Sequence, residues 1–297
     1  MTLVVLNPHA RGGRARDWVE PLQHELAQLN AGARLVVPAN VQDARALVAR
    51  ESPGARIIVV GGDGTLHQLL PALLAGDHVT GLVAVGSGDD SARAMGLRSL
   101  PWRRALAHAL TAPARAVDVG EVQTEHEQRP FFSSLGVGFD AAVAQRALTG
   151  PGWLAGLPRY LLATLQEVAA LRLHELSVTL DGQRVHQGPA LFASSLNTRS
   201  YGGGMPAVPK ARIDDGRLDL LLAGRFNRAA TLAMLPRLLL GRHLSHPQVR
   251  CLSFTEARIE AAAALPLAAD GESMRAARYL MVRVRIAALR VVAQAVV

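Results

Sequence analysis

Residues 56–60, RIIVV, run directly into Gly61-Gly62-Asp63-Gly64-Thr65, and a helical pattern, TLHQLLPALL, starts at once. A short strand of consecutive apolar residues fits a parallel sheet covered on both faces. Glycines between such a strand and a helix let the backbone approach a ligand closely and take positive φ. The helix start then offers amides without partners and the positive end of a dipole, which suits phosphate. Thr65 is placed to cap that helix, and Leu66, Leu69, Leu70, Leu73 and Leu74 form its apolar face. Pro71 predicts a kink or an early break. Taken alone, the turn reads more readily as an ordinary β–α connection with a capping Asp than as a ligand site.

The same arrangement recurs at neighbouring strand ends. LVVL (3–6) leads through Asn7-Pro8 to Arg11-Gly12-Gly13-Arg14, and GLVAV (81–85) leads to Gly86-Ser87-Gly88-Asp89-Asp90. With a strand over 34–37 and helices over 16–29, over 44–49 and from Asp90, the alternation predicts a doubly wound α/β domain. The carboxyl ends of such strands share a crevice, so three glycine turns there favour a nucleotide site. No P-loop lysine and no G-x-G-x-x-G pattern is present, which leaves Arg11, Arg14 and backbone amides to neutralise phosphates. Beyond about residue 117 the pattern changes to β-like runs at 131–137, 176–180, 190–196, 218–223, 248–260 and 279–287. Helical patterns interrupt them at 153–172 and 227–241, so the second domain reads as mainly β.

Composition narrows the classes. The 297 residues, 49% hydrophobic with mean hydropathy +0.17, suffice for two domains and are too apolar for disorder. No run approaches the roughly 18 apolar residues of a membrane span. The single Cys251 excludes an internal disulfide framework and a cysteine-based zinc site. MTLVVLNPHARGG has no basic segment before its apolar run and does not read as a signal peptide, so a cytoplasmic protein is expected. The net charge of +8 is uneven: residues 1–150 carry 14 Lys+Arg and 14 Asp+Glu, whereas 151–297 carry 18 and 10. Such an excess suits an anionic partner, but 4% aromatic content and the lack of a reader motif argue against nucleic acid.

Seven segments in order now point one way: NPHARGGRA (7–15), GGDGT (61–65), GSGDDSARAMGL (86–97), VDVG (117–120), SLGVGFDAAV (134–143), NTRSYGGGMPAVPKARIDDGRLDL (197–220) and ADGE (269–272). The chain resembles the diacylglycerol kinase catalytic-domain family, which includes bacterial lipid kinases and sphingosine kinases. The resemblance implies a nucleotide-binding α/β domain over 1–117, completed by a last strand at about 284–297. It also implies a β-sandwich over 118–283, with the active site in the interdomain cleft.

The resemblance implies roles for individual residues. ATP phosphates would rest on Gly61, Gly62, Asp63, Gly64 and Thr65 and near Asn7, Arg11, Gly12, Gly13 and Arg14, with Ser87 and Asp89 lining the nucleotide. Asp63 and Asp90 would be active-site carboxylates working through Mg²⁺, Asp118 would face the cleft, and Glu272, beside Asp270, would be the general base. Asp215, with backbone carbonyls near Leu218 and Leu220, matches a structural Mg²⁺ position. Composition alone would read both Asp-Gly pairs as plain turns, and His67 and His243 as surface or polar contacts. The chain departs from the family at Ala10 (usually Ser), Arg11 (Gly), Asp89 (Asn), Ser91 (Phe) and His67-Gln68 (Asn-Glu).

Between Asp219 and Glu256 no acidic residue occurs, while Arg225, Arg228, Arg237, Arg242 and Arg250 alternate with leucines. That pattern fits transient contact with an anionic membrane surface, Trp153, Tyr160 and Leu161–Leu162 forming a second edge. It fits a core helix with solvated arginines as well. The leading expectation is an ATP- and Mg²⁺-dependent kinase of a membrane-lipid hydroxyl, peripherally membrane-associated. A kinase of a soluble metabolite and a non-catalytic nucleotide- or lipid-binding protein are the rivals, and a homodimer is left open.

Overall fold

The computed structural model describes residues 2–294 except 87, 152 and 155, and only the backbone of 11–14. The chain divides into two compact units, residues 1–117 with 287–297, and residues 118–286.

In the first unit β1 (Thr2–Leu6) leads through a 3-10 stretch (Ala10–Trp18) into α1 (Val19–Gln28). Then follow β2 (Ala33–Val36), α2 (Val41–Ala49), β3 (Arg56–Gly61), α3 (Asp63–Ala75) and β4 (Val79–Ala84). Helices α4 (Asp90–Ala94) and α5 (Trp102–Thr111) complete the run. The strands pair in parallel in the order β4–β3–β1–β2. This is the doubly wound pattern read from the sequence. Val4, Leu6, Ile58, Val60, Val83 and Val85 pack with Leu22 and Leu26 of α1 and Leu106 of α5. Their neighbours Leu3, Val5, Ile57 and Val59, which point to the opposite face, are buried too. Burying each such side chain contributes roughly 1.5–3 kcal/mol, which explains the unbroken RIIVV run.

Helix α3 does not break at Pro71: it continues to Ala75. Leu69, Leu70 and Leu73 are fully buried on both sides of the proline, and Pro71 itself faces outward. Their burial outweighs one missing helix hydrogen bond. The helix expected from Asp90 is short, because Gly96 takes φ +72° just past its end.

The second unit begins within β5 (Arg115–Thr124), followed by β6 (Gln128–Phe131), β7 (Ser134–Val137), α6 (Phe139–Leu148) and α7 (Leu157–Ala169). Next come β8 (His174–Leu180), β9 (Gln183–Ala190), β10 (Phe192–Leu196), β11 (Leu218–Ala223) and α8 (Arg228–Leu239). Strands β12 (Val249–Phe254), β13 (Glu256–Ala269) and β14 (Glu272–Val291) close the chain. The last residues of β14 leave this unit and pair in parallel with β4, Arg290 opposite Val79. The return to the first unit therefore starts at Ala287, three residues after the expected 284.

The unit is a β-sandwich. Antiparallel pairs join β12–β11–β10–β7–β13–β14. Strand β13 pairs with β8 through Ala257–Ala261 but with β7 through Leu267–Ala269, and its register with β14 shifts between Glu260 and Leu265. Such an irregularity bends a strand and lets it serve two layers. Inward residues repeat with period two, as in Leu176, Val178 and Leu180, or Leu218, Leu220 and Leu222. Leu221 and Ala223, on the other face of β11, pack with Phe139, Val143, Ala163 and Val168 from α6 and α7. The run expected over 131–137 is two strands parted at Phe132-Ser133. Helix α6 was not among the expected elements, for its FDAAVAQRAL follows a strand with no polar turn; Gly138, at φ +84°, makes the break.

Candidate functional site

The phosphate-type turns lie in the first unit. Gly61, Gly62 and Gly86 do not use positive φ, contrary to the sequence expectation; they are glycines because backbone and side chains come too close for a Cβ. A Cβ on Gly61 would lie 2.5 Å from Thr65 Oγ1, and one on Gly86 would lie 2.8 Å from the Gly62 Cα. The turns after β3 and β4 are thus pressed together. Gly62, rather than Thr65, caps α3, and it provides no side chain. The amides of Asp63 and Gly64 have no carbonyl to bond within the helix and stay open to an anion. Thr65 Oγ1 instead accepts from Asn7 Nδ2 at 2.8 Å, and Asn7 Oδ1 accepts the His9 amide at 2.9 Å. Asn7 therefore ties the end of β1 to the turn.

Asp63 acts on its neighbour helix. Its Oδ2 accepts the Asp90 amide at 3.0 Å and its Oδ1 the Ser91 amide at 2.8 Å, which caps α4. Asp89 takes the left-handed conformation, φ +54°, which Asp and Asn tolerate best among non-glycine residues. It is 8% exposed, and its Oδ1 has no hydrogen-bond partner among the described residues. Burial raises its pKa first and the Asp63 charge second; Arg98, the Gly86 amide and Arg93 partly offset this. Asp90 is buried beside Arg93, at 3.8 Å. Ser87 and the side chains of Arg11 and Arg14, like positions 12 and 13 beyond their backbone, lie outside the described residues.

The acidic turn lies in the second unit. Asp270 and Gly271, at φ +50° and +83°, join β13 to β14 with Ala269 opposite Glu272. Two positive-φ residues make this the tight hairpin turn that matches strand twist. Asp270 is not simply solvated. Its Oδ2 accepts the Phe132 amide at 2.9 Å, and its Oδ1 accepts those of Ser133 and Ser134 at 2.6 and 3.1 Å. Those contacts split the 131–137 run. Glu272 opens β14, half-buried, and no described residue pairs with its carboxylate. Rigid backbone and an uncommitted acid therefore coincide.

Asp118 is buried and structural in its contacts. Its Oδ2 accepts the Gly216 amide at 2.7 Å and its own amide donates to Ile213 at 2.7 Å, holding the 213–216 turn. Asp215 is exposed on that turn, with Oδ1 accepting the Arg217 amide at 3.1 Å. Leu218 and Leu220 stand in β11 opposite Phe254 and Leu252. Burial raises the pKa of Asp219 between them, the Asp215 charge adding to it. Among the described residues no three His, Cys, Asp or Glu side chains gather to hold a metal, and the expected set of Asp215 with the Leu218 and Leu220 carbonyls has a single carboxylate.

Asn197, Asp140 and Tyr201 went unassigned in the sequence, and Tyr160, expected at a membrane-facing edge, is half-buried against Ala141, Ala144 and Ala268. Asn197 donates to the carbonyls of Asp118 and Phe132, both at 2.9 Å, linking two of these sites. Asp140, Tyr201 and Tyr160 gather near the Asp270-Gly271 turn, as developed below. Tyr201 before three glycines was the available signal. His67 and His243 are buried rather than surface residues, His243 Nε2 lying 2.7 Å from the Ala207 carbonyl. Helix α8 lays one face on the core and leaves the other to solvent: Thr231 is buried, Ala230, Met234 and Leu238 pack against the cluster beneath, and Leu232, Leu239 and Leu240 are exposed. Arg225, Arg228, Arg237 and Arg242 are exposed around it, and Trp153 is 82% exposed. No helix among the described residues is long and apolar enough to cross a membrane.

Comparison with known proteins matches residues 1–122 to the diacylglycerol kinase catalytic domain and residues 133–293 to the YegS C-terminal NAD kinase beta sandwich-like domain. A diacylglycerol kinase of Mycobacterium tuberculosis is 31% identical over 217 residues, 72% of this chain and 70% of that protein. A probable YegS-like lipid kinase of Chromohalobacter salexigens is 30% identical over 75% of this chain and 71% of its own. The crystal structure of a putative diacylglycerol kinase from Bacillus anthracis superposes with a TM-score of 0.81 at 18% identity, covering 99% of this chain and 97% of that one. At that identity the superposition establishes the fold.

Proposed function

The chain belongs to the diacylglycerol kinase catalytic-domain family and is a phosphotransferase with an alcohol acceptor, and on that premise we propose that it moves the γ-phosphoryl group of ATP onto a hydroxyl of a membrane lipid. Phosphoryl transfer needs held phosphates, neutralised charge and a base for the attacking hydroxyl. The observation that carries the reading is Glu272, a carboxylate without a partner among the described residues on a turn fixed by Asp270. In this reading Glu272 accepts the proton of the acceptor hydroxyl. The open amides of Asp63 and Gly64 receive phosphate oxygens, assisted by Arg11 and Arg14.

The buried Oδ1 of Asp89, without a partner among the described residues, fits a cation that arrives with the nucleotide. Magnesium takes few protein carboxylates and completes its shell with phosphate oxygens and water. Asp89 would hold it, and its charge would offset that of the phosphates. Asp63 fits this role less well than the sequence suggested, since both its oxygens cap α4. The relatives' names as lipid kinases support a lipid acceptor.

The test is mass spectrometry of a total lipid extract incubated with the full chain, ATP and Mg²⁺. A newly phosphorylated lipid is expected, and Glu272→Gln should lower turnover by about 10²–10⁴-fold while nucleotide still binds. Phosphorylation of soluble acceptors alone would refute the lipid assignment; equal turnover in the variant would remove Glu272 as base. The exposed leucines, Trp153 and arginines of α8 and its surroundings support peripheral attachment to an anionic bilayer. Phosphatidylglycerol vesicles should retain the protein at low salt and release it at high salt; no retention at low salt contradicts this.

A further inference from the structure

Gly202, Gly203 and Gly204 take φ of +60°, +87° and +103°, and Tyr201 pairs with Met205 to close the loop. A Cβ on Gly202 would lie 2.4 Å from Met205 Cε and 3.5 Å from Tyr160 Cδ1; one on Gly203 would lie 2.9 Å from the Leu157 amide. The loop therefore rests on the first turn of α7 only because it lacks side chains there. This turns Tyr201 inward, where its hydroxyl donates to Asp140 Oδ2 at 3.1 Å. Ser194 Oγ donates to the same oxygen at 2.9 Å and accepts the Val137 amide at 3.2 Å.

Asp140 sits in the first turn of α6, and no basic side chain among the described residues pairs with it. Part of the residue stays accessible, and both hydroxyl donors meet one of its oxygens, Oδ2. Burial raises its pKa to about 6, against the two hydroxyl donors. Burial, the Asp140 charge and Tyr160 push the Tyr201 phenol well above its ordinary range. Tyr160, from α7, packs its ring on Ala141, Ala144 and Ala268. Its hydroxyl lies 3.1 Å from where a Cβ on Gly271 would stand, over the turn that carries Glu272.

We propose that Asp140, Tyr201 and Tyr160 are positioning residues that set the direction of the Glu272 carboxylate through the Gly271 backbone. The inference rests on Glu272 as base. Nothing among the described residues holds the Glu272 side chain directly, so its direction follows the turn. Asp270 fixes one side of that turn, and the Tyr160 hydroxyl covers the other. An ionised Asp140 can only accept, which commits the Tyr201 hydrogen to it and fixes the sense of the network. A protonated Asp140 can donate, and the network loses that sense. The other groups facing this site are Ser194 from β10 and His174 from β8, whose Cδ2 lies 3.3 Å from a Cβ position on Gly138, with Arg172 beside it. Further along α6, Arg146 pairs with Glu167 of α7.

The test uses the full chain with Tyr160→Phe, Tyr201→Phe and Asp140→Asn, and Glu272→Gln as reference. Amide hydrogen exchange of a peptide covering 266–276 is followed between pH 5 and 8, corrected for intrinsic rates. Steady-state turnover is measured on vesicles of diacylglycerol in phosphatidylglycerol. Both phenylalanine variants should speed exchange in the turn about 3–10-fold, with β8 peptides unchanged. They should lower kcat about tenfold at unchanged KM for ATP and an unchanged melting temperature, which separates repositioning of the base from a loss of folded enzyme. Wild-type turnover should fall below about pH 6, and Asp140→Asn should lose that inflection. Unchanged exchange in all three variants overturns the inference, with or without turnover on these vesicles. Wild-type kcat in the three variants beside an inactive Glu272→Gln overturns it too. Full activity in Glu272→Gln instead removes the base assignment.

Discussion

Asp270→Ala takes away, in one change, the acceptor for the amides of Phe132, Ser133 and Ser134, at 2.9, 2.6 and 3.1 Å. A hydrogen bond to a charged acceptor nets about 1.5–3 kcal/mol, and three on one carboxylate add less than threefold. Alanine at φ +50° adds about 1–2 kcal/mol of left-handed strain. The expected loss is about 5 kcal/mol. Asp270→Asn keeps one acceptor oxygen and tolerates the left-handed conformation, but it turns an amide NH₂ toward one of the backbone donors. Its expected loss is about 2 kcal/mol. At roughly 2–4 °C per kcal/mol for a unit of this size, the melting transition of residues 118–286 should fall by roughly 10–20 °C and 4–8 °C respectively. Scanning calorimetry, with the transition assigned by exchange protection in β7 and β13, measures both. An alanine variant within about 1 kcal/mol of wild type, or equal losses in the two variants, would show that these bonds do not hold the turn.

Asp63→Ala should release the Asp90 and Ser91 amides, destabilise α4 by about 1–2 kcal/mol and weaken ATP binding about tenfold, read by nucleotide titration. Unaltered affinity would place the phosphates elsewhere. Asp140 gives a pH signature of stability. Its folded pKa, raised by burial from 3.8 to about 6, favours the protonated form in the folded state. The stabilisation is complete below about pH 4 and lost as pH rises through about 6, a change of about 3 kcal/mol. Asp140→Asn should lack this slope in urea unfolding series, and parallel wild-type and variant curves would contradict it.

Much of the frame was legible along the chain because its signals are local. RIIVV and GLVAV announced buried parallel strands, and LDLLLA at 218–223 matched β11 to the residue. Elements whose boundaries depend on distant partners were less legible. The split between β6 and β7 follows from Asp270, which is far away in the chain. Helix α6 follows its strand with only a glycine between, and Pro71 misled because its cost is local while the burial that offsets it is tertiary.

The candidate site divides along the same line. The sequence alone singled out the candidate carboxylates and glycines, since residue type and spacing are properties of the chain. Tertiary structure decided what each one does. Asp63 caps a neighbouring helix, Asp118 holds a turn, Asp270 binds three amides, and Glu272 has no partner among the described residues. It also assembled Asp140, Ser194, Tyr201 and Tyr160, from three elements and a loop, around one half-buried carboxylate. The reason is physical: a carboxylate's role depends on how many donors it meets and how much water it loses, and only packing fixes either.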